Sequence, residues 1–407
     1  MTPPSAGAHA APAIAPGLAV IVLAMLLSIQ PVTTDVYLPA LPALTRDLQA
    51  SIAEGQLTLS ALLLAFGCSQ LLWGPVSDRV GRRPVLLAGI AAYTVASIGS
   101  VLAPTMDLLV LWRTLQGAAM GTAVMCGRAI VRDLYTPLAG ARAMSRALTG
   151  LGFVACLCAP LGGLVTQWLH WRAALAVSTL YACATLAVVA LRLPETLPQR
   201  NPDALCPRVL ARTWAQVLRS PTFMAHSLLT TTTYGGLFTF LAAAPFVFIE
   251  VLGQSRAEFG FTLFSIAIAY LLGTFVCRRL LGRLGLRRTI AVGGILSLGG
   301  GLLMLLAALA GARGTLALLL PFYLFMIGHG IHQPCGQAGA VSPFPLAAGV
   351  ASAFNGFMMM LAAFALGYWL GGALNGTVWP LVHGVLVCGA ATAAIAWTLV
   401  QRYGEPA

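Results

Sequence analysis

Twelve apolar stretches, each about as long as a membrane-spanning helix, dominate this chain. A helix needs roughly 20 apolar residues to cross the hydrocarbon core of a bilayer. The predicted spans cover residues 17–39, 56–76, 85–104, 107–127, 143–166, 172–192, 222–250, 259–277, 289–311, 315–337, 348–373 and 378–400. Backbone polar groups inside a bilayer must be paired within the protein, so the pattern predicts an all-α integral membrane protein.

The composition agrees with that class and excludes others. Of the 407 residues, 59% are hydrophobic and only 8% are charged, which is far from the balance of a soluble domain. The net charge of +12 comes from basic residues in short clusters between the spans, which argues against nucleic acid as a partner. The nine cysteines lack metal-ligand spacing, and no cofactor is expected.

Arginines mark one side of the predicted membrane. One set of loops holds most of them, whereas the opposite set holds only Arg46, Arg172, Arg256 and Arg313. The positive-inside rule places the first set in the cytoplasm. Both termini are then cytoplasmic, as an even number of spans requires.

A polar stretch over residues 193–221 divides the spans into two sets of six. It is rich in proline and carries four arginines, so we predict a cytoplasmic linker. The linker separates an N-terminal six-helix half, 17–192, from a C-terminal six-helix half, 222–402. Residues 1–16 are predicted to be a disordered tail, and residues 403–407 a short C-terminal tail.

A weak internal repeat supports two related halves. Pro39 near the end of span 1 corresponds to Pro245 near the end of span 7, at an offset of about 206 residues. The pair Arg82-Arg83 after span 2 corresponds to Arg287-Arg288 after span 8, at an offset of about 205. Near-equal offsets at two landmarks indicate a duplicated six-helix unit.

The loop after span 2 reads Gly74-Pro75-Val76-Ser77-Asp78-Arg79-Val80-Gly81-Arg82-Arg83-Pro84. It resembles the G-x-x-x-D-R-x-G-R-R/K signature of the major facilitator superfamily, at the same place in the topology. The resemblance implies a cytoplasmic gate latch formed by Gly74, Asp78, Arg79, Gly81, Arg82 and Arg83. Asp78 at a helix end can cap a neighbouring helix N-terminus, although the arginines could also serve only to fix topology. The second-half counterpart lacks the acid, so only the first half is expected to form a full latch.

Span 4 carries a second resemblance to that family. Its segment Leu111-Trp112-Arg113-Thr114-Leu115-Gln116-Gly117 is similar to the family's R-x-x-Q-G motif. Arg113, Gln116 and Met120 share one helix face through 3- and 4-residue spacing. Arg128, near the other end of the span, is expected to lie at the membrane interface rather than to contact substrate.

Span 5 ends with Ala159-Pro160-Leu161-Gly162-Gly163, which is similar to the family's antiporter motif. Ala159 stands where the motif usually has glycine, and the spacing is one residue short. Pro160, Gly162 and Gly163 are therefore predicted to bend the helix or to allow close packing.

Three segments narrow the resemblance to the bicyclomycin/chloramphenicol-resistance group of drug/proton antiporters. They are Asp35–Pro42, Ala244–Glu250 and Pro343–Ala353. The resemblance implies proton-coupled export of small amphipathic drugs, bicyclomycin- or phenicol-like, across a bacterial inner membrane by alternating access. It also implies a monomer in contact with lipids, with the proton gradient as its energy source.

Asp35 is the only acid placed clearly within a predicted span. A charged side chain at the centre of a membrane helix costs about 2.5–3.5 kcal/mol on insertion scales, and such residues usually mark ion pathways. At about 1.5 Å per residue, Asp35 and Arg113 lie at comparable depths, so we predict a proton-coupling pair, direct or through water. The alternative is that Asp35 only caps an irregular helix end and Arg113 only binds carbonyl groups.

The substrate cavity is predicted to include Tyr37, Gln116, Met120 and Asn355. A cavity with a single acid favours neutral or singly charged drugs over dications. A carrier of the same fold for a small metabolite, such as an amino acid, peptide or sugar, remains an alternative. The sequence contains no catalytic constellation, so an enzyme is not expected.

Overall fold

The computed structural model describes residues 15–312 and 314–404, and most of this chain is helical. The predicted tail over residues 1–16 lies almost wholly outside the described residues, as does most of the tail over 403–407. The first half contains α1 (Pro16–Thr34), α2 (Leu41–Asp47), α3 (Ile52–Val80), α4 (Arg82–Leu102), α5 (Met106–Leu134), α6 (Pro137–Trp168) and α7 (Trp171–Arg192). After α8 (Pro207–Leu218), the second half contains α9 (Pro221–Ala244), α10 (Arg256–Leu309), α11 (Thr315–Val341), α12 (Ala348–Ala373), α13 (Trp379–Trp397) and α14 (Leu399–Tyr403).

Helix α10 consists of two membrane spans joined end to end. Its 54 residues would extend for roughly 80 Å at 1.5 Å per residue, more than twice the hydrocarbon core. Gly285 interrupts the helix with φ 73° and ψ 177°. Eleven helical segments of the described chain are long and apolar enough to cross a membrane. Dividing α10 at Gly285 gives twelve, which confirms the predicted all-α membrane architecture.

Matching helix starts relate the two halves. Ser51 caps α3 and Ser255 caps α10, and each forms a capping box with a glutamate three residues later, Glu54 or Glu258. In such a box the serine side chain and the glutamate side chain each accept a backbone N–H, so the helix start is fixed reciprocally. The two serines are 204 positions apart.

Matching helix ends show the same spacing. Gly81 after α3 has φ 121°, and Gly285 has φ 73°; these two glycines are also 204 positions apart. Positive φ is accessible to glycine without the steric cost that a Cβ imposes. The constant spacing corrects the offsets of 206 and 205 expected from prolines and arginine pairs. Leu286, rather than Arg287, is therefore the counterpart of Arg82.

The halves meet along two seams, α3 against α12 and α6 against α10. In repeat order these are spans 2 and 11, and spans 5 and 8, so the seams are related by the duplication. One end of the bundle carries Arg82, Arg132, Arg192, Arg279 and Arg288, and we call it the arginine-rich face. The opposite end, the arginine-poor face, carries α2 and a π-helical turn at Pro245–Val251.

Candidate functional site

Asp35 lies where α1 ends. The helix passes through Pro31 and stops at Thr34, and the Asp35 backbone N–H still donates to Pro31 O at 2.8 Å. A 3₁₀ turn at Leu38–Ala40 leads into α2. The prolines explain the interruption, because Pro39 lacks the N–H that would continue the hydrogen-bond ladder. The side chain of Asp35 is partly buried and accepts a hydrogen bond from Thr34 Oγ1 at 2.7 Å.

A cavity of about 250 Å³ lies beside Asp35, between the two halves. The first half contributes Asp35 and the α6 residues Ala155, Cys156 and Ala159; α9, α10 and α11 of the second half supply the rest of the wall, which is mostly apolar. His329 is the polar residue that faces this cavity from α11, and it is 3% exposed. Its Nδ1 lies 3.1 Å from Thr233 Oγ1. The cavity thus places an acid of one half opposite a histidine of the other.

Arg113 forms no ion pair with Asp35 among the residues that the structure describes. Its guanidinium is fully buried, donates to Gln116 Oε1 at 2.8 Å and to Thr33 O at 3.2 Å, and stands 4.3 Å from the centre of the Tyr37 ring. The direct contact expected from depth alone is absent here. A coupling role for the two residues remains a prediction.

The four side chains predicted to line the substrate cavity lie elsewhere in this conformation. Gln116 donates to Ser97 Oγ at 2.7 Å, and Tyr37 is hydrogen-bonded to Thr58. Met120 is fully buried in a hydrophobic core to which both halves contribute. Asn355 accepts a hydrogen bond from Thr230 Oγ1 at 2.7 Å within the second half. Buried polar groups need hydrogen-bond partners, and these side chains find theirs inside their own half rather than at the cavity.

The halves touch closely at the arginine-poor face through the α6 motif. A Cβ on Gly162 would lie 2.2 Å from the backbone oxygen of Val36, just after the end of α1. A Cβ on Gly163 would lie 2.4 Å from the backbone oxygen of Arg256 in α10. Gly260 of α10 approaches Ala159 O in the same way, at 2.6 Å. Pro160 lies inside α6 without ending it. The motif therefore serves close packing, both within the first half and across the seam.

Polar contacts close the same face. Gln56 Nε2 donates to Ala242 O at 2.6 Å, and Arg46 Nη1 lies 3.4 Å from Glu250 Oε1. Arg256 Nη1 donates to Thr166 O at 3.0 Å. Each contact joins one half to the other. The Asp35 cavity lies on the inner side of these contacts, so the arginine-poor face is sealed in this conformation.

The predicted latch is built around Arg82 at the arginine-rich face. Its side chain is 1% exposed and lies 2.6 Å from Asp78 Oδ1 and 2.9 Å from Asp133 Oδ2. It also donates to Ser77 Oγ at 2.6 Å. Removing one member of a buried ion pair costs about 3–5 kcal/mol, and the side chains of Arg82 and Asp133 are both buried.

Glu195 completes the latch, and sequence reasoning missed it. Its carboxylate accepts the backbone N–H groups of Arg82 at 2.9 Å and Arg83 at 3.3 Å, at the start of α4. Oε1 also accepts from Thr196 and Leu197. The helix cap expected of Asp78 is therefore supplied here by Glu195, while Asp78 binds Arg82. The acid lies more than 110 positions from its partners, and no local pattern marks it.

The other predicted latch residues lie around Arg82 and Glu195. Arg83 donates through Nη2 to Ala190 O at 3.0 Å, whereas Arg79 is exposed. A Cβ on Gly81 would lie 2.5 Å from Glu195 Oε2, so glycine leaves room there for the carboxylate. Gly74 is less constrained, because a Cβ at that position would meet its nearest neighbour at an ordinary contact distance of 3.5 Å.

We expect Glu195→Ala to lower the free energy of unfolding by about 1–3 kcal/mol, because it leaves several backbone N–H groups without an acceptor. Thermal unfolding of the detergent-purified protein measures the change. Asp203→Ala, at an exposed acid of the same linker, is the matched control and should leave the midpoint unchanged. Equal shifts for the two variants would show that Glu195 contributes no more than a surface charge.

The structure has twelve spans in two repeated halves. It is sealed at one face and encloses a cavity that is lined by an acid of a membrane span. These features define the class of secondary transporters. The chain belongs to the Major Facilitator Superfamily, whose family model matches residues 17–365. The expected family is thereby confirmed.

Two relatives agree with the narrower resemblance. The chain is 30% identical to the chloramphenicol resistance protein of Pseudomonas aeruginosa over 360 residues, covering 86% of this chain and 80% of that protein. It is 23% identical to a bicyclomycin resistance protein homolog of Haemophilus influenzae, covering 91% and 92% of the two chains. A solved D-xylose–proton symporter superposes with a TM-score of 0.72 over 95% of this chain and 99% of its own, at 17% identity, and so shows the shared fold.

Proposed function

We propose that this protein is a proton-coupled antiporter that exports small amphipathic drugs, phenicol- or bicyclomycin-like, across a bacterial inner membrane. The observation that carries the proposal is the position of Asp35: a carboxylate on the wall of an apolar cavity between the two halves. The names of the relatives supply the substrate class. The arginine-rich face is taken as cytoplasmic on the positive-inside rule, and both termini then lie in the cytoplasm.

The cavity supports exchange of a proton for a drug. A carboxylate enclosed by apolar side chains carries a desolvation cost, and a bound proton removes that cost. Asp35 binds its proton when the cavity faces outward and releases it when the cavity faces the cytoplasm. An amphipathic drug occupies the apolar wall formed by Leu237, Leu241 and Leu263 and competes with the protonated state. The drug and the proton therefore use the cavity alternately.

Transport of radiolabelled chloramphenicol into everted membrane vesicles tests the proposal. An acidic lumen should drive drug accumulation, because each proton that leaves is exchanged for a drug that enters. A protonophore and vesicles without the transporter are the controls. Drug accumulation that is the same with and without the imposed pH gradient would contradict proton coupling. Gradient-driven uptake of the drug into intact cells would favour an importer of the same fold.

We expect selectivity by charge. Asp35 is the only acid that lines the cavity in the described chain, so a second positive charge on a drug would remain uncompensated in a site of low dielectric constant. Dequalinium, a lipophilic dication, should be transported at least about tenfold more slowly than tetraphenylphosphonium, a monocation, which corresponds to about 1.4 kcal/mol.

Potassium and valinomycin should clamp the membrane potential during that comparison, so that the rates reflect the site rather than the electrical driving force. Chloramphenicol serves as the neutral reference. Equal rates for the dication and the neutral compound would refute selectivity based on a single acid.

A further inference from the structure

A second cavity, of about 420 Å³, lies between the halves at the arginine-rich face. Helices α3 and α5 of the first half form one wall, and the start of α12 forms the other. Trp214 of the linker helix α8 lies at its edge. We call this cavity the vestibule. It is separate from the Asp35 cavity and shares none of its lining residues.

The vestibule carries an excess of positive charge. Asp78 and Asp133 supply two negative charges against the three positive charges of Arg82, Arg128 and Arg132. Arg132 is 65% exposed and lies 4.0 Å from the nearest oxygen of either acid. Arg128 forms no ion pair within the described residues. Its one hydrogen bond there is from Nη1 to Ser352 Oγ, at 2.6 Å. Although an interfacial position was expected for Arg128, its side chain lines a cavity between the halves.

Much of the remaining wall of the vestibule is apolar. Leu71, Met125 and Val350 face the cavity. Trp214 is held by an edge-to-face contact with Phe354, with ring centres 5.4 Å apart. An apolar wall beside an unpaired guanidinium suits a ligand with an aromatic or aliphatic body and an anionic group, because guanidinium binds planar oxyanions through two parallel hydrogen bonds.

We propose that the vestibule is an entry site for amphipathic monoanions, with Arg128 as the anion anchor. The Arg128–Ser352 hydrogen bond joins α5 of the first half to α12 of the second. An oxyanion on Arg128 competes with Ser352 for the same donor. Binding of the anion therefore releases a contact between the halves at this face. The substrate class proposed above is thereby extended to anionic compounds, and this extension rests on the proposed transport function.

Calorimetric titration of the full-length protein in phosphatidylcholine nanodiscs tests the site. The probes are 1-naphthalenesulfonate and the uncharged 1-naphthalenemethanol, which share one ring system. We expect the sulfonate to bind about tenfold more tightly, and Arg128→Gln to remove that preference. Arg142→Gln, which removes an exposed arginine outside the vestibule, should preserve it.

Ser352→Ala separates anion binding from a purely structural role. If Ser352 competes with the ligand for Arg128, its loss should tighten sulfonate binding severalfold, opposite in sign to Arg128→Gln. If the hydrogen bond merely stabilises the fold, both variants should weaken binding. Equal affinity of the wild-type protein for the two probes, or an unchanged preference in Arg128→Gln, would overturn the proposal.

An anionic lipid headgroup offers the same chemistry as a soluble anion, and a second set of nanodiscs distinguishes the two sources. If lipid phosphate occupies the site, phosphatidylglycerol should weaken sulfonate binding to the wild-type protein but not to Arg128→Gln. If the occupant is a soluble anion, phosphatidylglycerol should have no effect. These titrations need no proton gradient, so their failure would leave drug/proton antiport standing, and failure of the vesicle experiment would leave the anion site standing.

Discussion

Asp35→Asn should reduce gradient-driven drug accumulation in everted vesicles to the level of vesicles without the transporter. Asparagine preserves the size of the side chain and its hydrogen bond with Thr34, but it cannot bind and release a proton. Exchange of labelled for unlabelled drug across the membrane without a gradient needs no net proton movement and should persist. This combination isolates coupling from folding and from drug binding.

Asp47→Asn is the matched control for that experiment. Asp47 lies at the end of α2 on the arginine-poor face, where its Oδ2 accepts from Trp171 Nε1 at 2.8 Å and from Arg172 at 3.3 Å. Its loss should leave the response to the pH gradient intact. If Asp35→Asn also retained gradient-driven accumulation, Asp35 would be no more than the residue that ends α1.

Gly163→Ala should shift the protein away from the conformation sealed at the arginine-poor face. The added Cβ would lie 2.4 Å from Arg256 O, so α6 and α10 must move apart. Overpacking of this kind costs about 1–3 kcal/mol, which is about 5- to 150-fold in a conformational equilibrium. Gly152→Ala is the control on the same helix, because a Cβ there meets nothing within 4 Å.

Hydrogen–deuterium exchange with mass spectrometry reads out that shift. In Gly163→Ala, exchange should rise in peptides covering residues 245–262 at the arginine-poor face. It should fall at residues 345–356, where the vestibule closes as the opposite face opens. Gly152→Ala should match the wild-type protein. Unchanged exchange at both faces in Gly163→Ala would show that the α6–α10 contact does not control opening.

The spans were predictable from the sequence, because hydrophobic length alone determines what crosses a bilayer. The ends of the spans were less predictable. Helix α5 runs to Leu134, several residues beyond the predicted end at 127, and its last turn carries Asp133, which contacts Arg82 of the latch. The capping serines Ser51 and Ser255 carried a readable signal, the S-x-x-E pattern. That pattern would have given the constant offset of 204 residues directly.

The site was less predictable, because its contacts join residues far apart in the chain. Depth along the helices placed Asp35 and Arg113 at one level but said nothing of the direction in which each side chain points. Glu195 reaches the start of α4 from the linker, and Arg128 meets Ser352 across the halves. Both contacts depend on how helices are arranged around each other, which hydrophobic periodicity does not encode.

The linker crosses from one half to the other over a very short length of chain. Asn201 N donates to Asp78 O at 3.0 Å, and the turn at Pro202–Leu205 packs on α3. From Pro207 onward, α8 contacts α9 and α12 of the second half. The chain therefore passes from one half to the other at Cys206, and one extended residue spans only about 3.3–3.6 Å. Because the chain crosses within about one residue at the arginine-rich face, the two halves stay within a few ångströms of each other at that crossing in any conformation that keeps these contacts.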